Sequence, residues 1–349
     1  MFGSPKLNLK EVLTGLQDTL QPEIMVGCSS AGEFAGAQLA EGAISALAIY
    51  SDEIEFQVCV GTGIKRDVQS AATALTSCLG QDVYRFRHRY ILLLTDALAG
   101  YTEEFLGKIN ELTAGAFQIF GGGAGDDAQF QSTYVFAGTE ILQDAAVGLA
   151  ILTDKPLGIG VRHGWKPIEP GMRATETDGF ELVSLNAEPA YDVFLRHAQS
   201  REQTLDRDNP MPFFLHNVLG ISTTAGYKIR VPLGFTEGGG VICATEIPLG
   251  ATVNFMQTDG GSAVEAASLA TQTALSQIEG ENPAGVIFFD CVATRLRLGS
   301  GFGAELQAVR DKIDPAAFVG CNSYGQVARV DGQFSGFHNC TAVVCVIPS

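Results

Sequence analysis

Three glycine-flanked turns hold the most distinctive polar side chains of the chain. Gly27-Cys28-Ser29-Ser30-Ala31-Gly32-Glu33 and Gly320-Cys321-Asn322-Ser323-Tyr324-Gly325-Gln326 match in order. Gly121-Gly122-Gly123-Ala124-Gly125-Asp126 falls at a third equivalent point. Glycine lets a chain leave a strand with positive φ and leaves its N–H groups unshielded. Such turns at the carboxyl ends of strands are where open α/β sheets bind small ligands. The chemistry expected is recognition: bare amides at Gly122 and Gly123, and hydrogen bonds from Ser29, Ser30, Asn322, Ser323 and Tyr324. Cys28 and Cys321 are the first side chains past their strands. Arg295 and Arg297, just beyond Cys291, could hold a ligand carboxylate through bidentate contacts. A structural ion pair with one of the many acids is an equal reading.

Other chemistries find less support. A thiol-dependent enzyme would use Cys28 or Cys321 beside a histidine, but nothing in the sequence pairs any of the five histidines with them. The eight cysteines form no Cys-x-x-Cys pair and read as buried free thiols. Asp126 and Asp127 cannot alone surround a cation, so a turn cap is expected there and no metal site is assigned. His216, within Phe213-Phe214-Leu215-His216-Asn217-Val218-Leu219, has the apolar setting of an axial haem ligand. For it, as for His338, a core histidine is the simpler reading. No Gly-x-Ser-x-Gly elbow or Walker A loop is present. Gly299-Ser300-Gly301-Phe302-Gly303-Ala304 fits a loose dinucleotide pattern but lies too far beyond its strand.

The elements that position these turns alternate, which predicts an α/β architecture with mixed sheets. Helices are expected over 9–20, 67–79, 102–112, 259–278 and 304–313, with Asp67 and Thr102 as N-caps. Strands are expected over 23–26, 43–50, 54–60, 90–94, 117–120, 286–289, 317–319, 326–330 and 341–347, with 43–50 and 54–60 as an antiparallel pair. Leu92-Leu93-Leu94-Thr95-Asp96 echoes Ile287-Phe288-Phe289-Asp290-Cys291. A strand-helix-strand-glycine-turn unit is thus reused, giving two related halves packed around a shared cleft. By the same analogy Phe2-Gly3-Ser4-Pro5 ends a strand whose beginning is missing. Domains are placed at 1–180 and 181–349, joined by a short connection within 164–188 where prolines break the apolar period.

With 349 residues, two domains of about 150 residues are expected. Lys plus Arg is 22 and Asp plus Glu 39, a net charge of −17. That excess repels phosphate backbones and anionic lipid, so neither nucleic acid nor membrane is an expected partner. No apolar signal core opens the sequence, and a cytoplasmic location follows as the expectation.

Taken in order, these blocks resemble the FIST family of sensory proteins, with an N-terminal and a C-terminal FIST domain. The resemblance rests on Val26 to Glu33, Gly121 to Asp127, His163-Gly164-Trp165-Lys166-Pro167, Asn186-Ala187-Glu188-Pro189-Ala190, Cys291 to Gly299, Ser323 to Gln326 and His338-Asn339-Cys340-Thr341. Gln326 and Cys340 depart from the acid and glutamine expected there. The resemblance implies a non-catalytic module that binds a small, amino-acid-like or anionic molecule. It would report in trans to a histidine kinase or a cyclic-di-nucleotide enzyme, and leaves room for a homodimer. A second implication is a haem-containing nitric-oxide sensor with His216 or His338 as axial ligand; beyond that haem, no cofactor is implied.

Overall fold

Three parallel strand-helix-strand units frame the computed structural model, which describes residues 1–168, 170–330, 332 and 335–349. Phe2–Gly3 runs parallel to Val26–Ser29 across the helix Leu9–Leu20. His88–Thr95 runs parallel to Gln118–Gly123 across Thr102–Leu112. Pro283–Cys291 runs parallel to Ala317–Ser323 across Val292–Leu298 and Gly303–Ile313. The expected mixed α and β architecture with a repeated unit is what the chain forms.

After the first and last of the matching turns the chain crosses into the opposite half. Glu33–Ala35 and Gln38–Ala40 add as a hairpin to Ala317–Ser323. Gln326–Arg329 and Ser335–His338 add to Gln118–Gly123. Two six-stranded sheets result, each completed by a hairpin from the other end of the chain. They share one core, in which Leu92, Phe120 and Val147 of one meet Ile287, Phe289 and Val343 of the other. Helices Val68–Ser77 and Thr102–Leu112 cover the outer face of the first sheet, and Gly260–Leu275 and Gly303–Ile313 that of the second. Four layers bury the central strands on both faces, so Ala145–Thr153 and Ala342–Pro348 are apolar and buried along nearly their whole length.

Local chemistry explains the helix boundaries. Asp67 and Asp259 each accept the N–H three residues on, from Ser70 and Ser262, and start their helices as N-caps. Thr102 does not cap its helix: Tyr101 precedes it in the left-handed region and no side chain closes that end.

Several expectations change. The 43–50 strand shrinks to Ile44–Ser45, which pairs with Phe2–Gly3, whereas Ile54–Thr62 pairs with Ala145–Thr153. The 164–188 stretch is no bare connection, because Met172–Asp178 and Glu181–Leu185 belong to a nine-stranded sheet spanning 166–257. That sheet wraps its own core around Phe194, Phe214 and Phe255. Cys59 and Cys78 are not free thiols but a disulfide with 5.6 Å between Cα atoms, joining a strand to the end of the helix packed on it. The other six cysteines are free and buried.

The inserted sheet is held to the first half by Glu103. Its carboxylate accepts from Lys228 Nζ at 2.8 Å and the Phe337 N–H at 2.7 Å, with Arg230 at 3.7 Å. Arg230 is buried and also donates to the carbonyls of Ile229, Glu246 and Phe337. Glu103→Ala would leave a buried cation without its counter-charge, a loss of about 2 kcal/mol once partial exposure of the carboxylate is allowed for. Urea unfolding is expected to show the midpoint of Glu103→Gln between those of wild type and Glu103→Ala; equal midpoints for all three would remove this clamp from the account.

Candidate functional site

The three turns converge and bond to one another through their backbones. Ala31 N–H donates to Asn322 O at 2.9 Å, and Asn322 N–H returns a bond to Gly32 O at 2.8 Å. Tyr324 N–H donates to Gly123 O, Gly123 N–H to Gly325 O, and Gly125 N–H to Ser29 O. The turns also reach closer than any side chain would permit. A Cβ on Gly123 would stand 2.6 Å from Tyr324 O, and one on Gly122 2.9 Å from Ser323 Oγ.

This geometry corrects the expectation of bare amides facing a hollow. The amides of Gly123, Ala31, Asn322 and Tyr324 already have partners, and Cys28, Ser29, Ser30, Cys321, Asn322 and Ser323 are buried. Ser29 Oγ accepts the Tyr134 N–H, and Ser30 Oγ donates to Glu33. Gln326 donates to Ser323 Oγ, which in turn donates to Asp290 O. The Cys28 and Cys321 thiols touch one another, and burial pushes Cys321 far above the usual thiol range, which suits a packing thiol rather than a nucleophile. Asp126 is the cap its position predicts: it accepts the N–H groups of Phe130, Gln131 and Ser132 and the Tyr324 hydroxyl.

Arg295 and Arg297 do not form a common clamp. Arg295 is buried against Glu41 at 2.5 Å, on the side of the turns that carries Gly32 and Asn322. Arg297 lies over the Trp165 ring, 5.3 Å from its centroid. Asn322, whose side-chain amide has no partner among the described residues, sits opposite Asp290 at the ends of the paired strands. Burial raises both Asp290 and Glu305, the latter to about 8 with Arg297 opposing, so the cluster is largely neutral carboxyls.

An opening lies on the opposite side of the turns. A cavity of about 100 Å³ is walled by Ala97, Leu98 and Phe130 of the first half, by Met211, Leu215, Val231, Leu233 and Ala244 of the inserted sheet, and by Cys291, Val292 and Tyr324 of the second half. The Tyr324 ring stacks on Phe130 with centroids 4.5 Å apart. Of the ligand-binding residues expected from sequence, Tyr324 lines this space; Arg295 and Arg297 do not. Phe130, Leu215 and Ala244 carried no sequence signal, since their role comes from packing between segments far apart in the chain. Cys291 did carry one, as the strand-end residue matching Asp96.

Residues 1–188 match the FIST N domain and residues 190–329 the FIST C domain. The chain belongs to the FIST family. FIST domains are small-ligand sensory domains. Two uncharacterized proteins of Mycobacterium tuberculosis, from strains CDC 1551 and H37Rv, are each 22% identical over 343 residues, covering 95% of this chain and 85% of the relative. An uncharacterized protein of Methanocaldococcus jannaschii is 24% identical over 276 residues, 72% of this chain and 52% of its own length. Among the described residues, no helix is long and apolar enough to cross a membrane.

The cavity beside Tyr324 presents neither of the histidines expected as a haem ligand. His216 is exposed on the turn after Met211–Phe214, whereas His338 is buried in the strand Ser335–His338, and neither lines the cavity. The cavity is also well below the roughly 300 Å³ at which pockets for drug-sized ligands begin.

Proposed function

We propose that this FIST protein is a non-catalytic sensory module that binds a compact small molecule in the cavity beside Tyr324. The single observation behind this reading is that the cavity wall draws on both halves and the inserted sheet. A ligand touching all three stabilises one arrangement of them by its differential affinity, which is what a sensor requires. The lining is mostly apolar, with the Cys291 thiol, Tyr324 and Asn339 as polar groups and no cationic side chain. It suits a molecule with an apolar body and one or two hydrogen-bonding groups better than a free carboxylate. The signal passes in trans to a histidine kinase or cyclic-di-nucleotide enzyme in the cytoplasm.

A thermal-shift screen of the full chain against amino acids and compact aliphatic and aromatic compounds tests this. A ligand present at 100 times its Kd adds about 2.7 kcal/mol, a shift of a few degrees. Ala244→Trp, which fills the cavity from the inserted sheet, is expected to keep a cooperative transition and abolish the shift. A shift that survives Ala244→Trp unchanged places the ligand elsewhere and sinks the reading.

A further inference from the structure

The six free cysteines include two touching pairs, and the pairs differ in where they lie. Cys28 and Cys321 meet inside the main core, sealed on all sides. Cys291 ends the strand Pro283–Cys291 and forms part of the cavity wall, with its thiol against that of Cys340. Cys340 sits in the left-handed region at φ 48°, in the turn that leads into the last strand, next to Asn339 of the same wall. We propose that Cys291 and Cys340 form a dithiol that a small hydroperoxide entering the cavity oxidises to a disulfide.

The surroundings divide the two thiols into unlike roles. Cys291 and Cys340 lie in one buried cluster, where hydrogen bonding from Cys340, from the Ala293 backbone and from the Gln326 side chain favours the charged form of Cys291. Gln326 is itself fixed, since it donates to Ser323 Oγ at 2.9 Å and accepts the Thr341 N–H at 3.3 Å. Hydrogen bonds of this kind favour the thiolate. They draw Cys291 down to about 6 while Cys340, their donor, is pushed well up and stays a thiol.

The chemistry balances without a cofactor. The Cys291 thiolate gives an electron pair to the outer peroxide oxygen and the O–O bond breaks. The departing alkoxide takes up a proton and leaves as the alcohol, or as water from hydrogen peroxide. Cys340 sulfur then attacks the sulfenic sulfur of Cys291, the S–O bond breaks, and water leaves with the Cys340 proton. Two thiols are oxidised by two electrons and one peroxide is reduced. The new bond ties the Asn339–Thr341 turn to the strand end at Cys291, and both lie on the cavity wall, so oxidation reshapes the space that the proposed ligand occupies. The inference does not depend on what the cavity binds.

The test uses the purified full chain, reduced and desalted, treated with hydrogen peroxide, and mapped by mass spectrometry of its peptides without reduction. The expected result is a peptide pair joined through Cys291 and Cys340, reversed by a dithiol reductant. Cys340→Ser is expected to lose the crosslink and leave Cys291 as a sulfenic acid trapped by dimedone; Cys28→Ser is expected to keep the crosslink. Cooperative urea unfolding of each variant confirms that it is folded. Oxidation that joins Cys28 to Cys321 instead, or a dimedone adduct that forms on other cysteines while Cys291 stays reduced in both wild type and Cys340→Ser, overturns the proposal.

Discussion

Gly121→Ala is expected to leave little or no folded protein. Gly121 lies inside the strand Gln118–Gly123, between its parallel neighbour His88–Thr95 and the crossing strand Gln326–Arg329. Its φ of +151° already disfavours any side chain, and an added Cβ would stand 1.9 Å from Leu93 O and 2.8 Å from Leu93 C. Both clashing atoms are backbone, so no rotamer change relieves them; the central parallel pair itself must part. Such a change belongs with the most damaging single substitutions, above about 4 kcal/mol, against a total stability on the order of 5–15 kcal/mol. Gly107→Ala is the control, because that glycine lies in the exposed face of Thr102–Leu112 with nothing within 4 Å of the added Cβ. It should stabilise by about 0.5–1 kcal/mol through helix propensity. Soluble yield and urea midpoints of the two variants decide the matter: a Gly121→Ala protein that unfolds near the wild-type midpoint would contradict the close packing described here.

The same glycines explain what could be read from the sequence and what could not. Apolar periodicity located the helix Leu9–Leu20 to the residue, and the cap Asp67 stands where it was expected, whereas Thr102 does not cap its helix. The repeat of strand, helix, strand and glycine was equally legible, because each unit carries it locally. Strand ends were not. Gly27, Gly121 and Gly320 looked like the start of turns, yet each continues its strand, since a Cβ there would meet Met1 O at 2.2 Å, Leu93 O at 1.9 Å and Phe288 O at 2.0 Å. A glycine that admits a neighbouring backbone is indistinguishable in one sequence from a glycine that reverses the chain. The crossing of Glu33–Ala35 and Gln326–Arg329 into opposite sheets is a long-range pairing that no local pattern encodes. It turned two ligand-facing turns into one buried junction.

The candidate site followed from that crossing. Ser29, Ser30 and Asn322 stand out in sequence because they are polar and close to glycine; inside the junction the Ser29 and Ser30 hydroxyls bond to the Tyr134 N–H and to Glu33, while the Asn322 side chain has no partner among the described residues. Tyr324 escapes only because Phe130 and the inserted sheet leave space on its far side. Residues 164–188 read from sequence as a connection, so the wall that the 166–257 sheet contributes has no local signal.

Between pH 5 and 8 wild type is expected to lose stability relative to Glu305→Gln. Glu305 is buried on the helix Gly303–Ile313, facing Asp290 and Cys291 of the strand end and Arg297 of the adjoining helix. Burial raises it from an ordinary 4.5 to about 8, with Arg297 pulling the other way and Cys291 adding to the rise. A raised carboxyl binds its proton more tightly in the folded chain than in the unfolded one. Its contribution is therefore complete below pH 4.5 and is withdrawn as pH climbs towards 8, at up to about 1.4 kcal/mol per pH unit. Asp290, raised in the same direction, adds to the slope. The exposed caps Asp67 and Asp259 act with the opposite sign, their lowered values costing stability only as pH falls through the acid range. Cys291, drawn down to about 6, works against this slope between about pH 6 and 9, so the Glu305 contribution is read as the difference between wild type and Glu305→Gln. Urea unfolding of wild type and Glu305→Gln between pH 5 and pH 9 reads the difference directly, because glutamine keeps the shape and the donor of the neutral acid but cannot lose a proton. Parallel curves for the two proteins would mean that Glu305 is ionised throughout and that Arg297, rather than burial, governs this cluster.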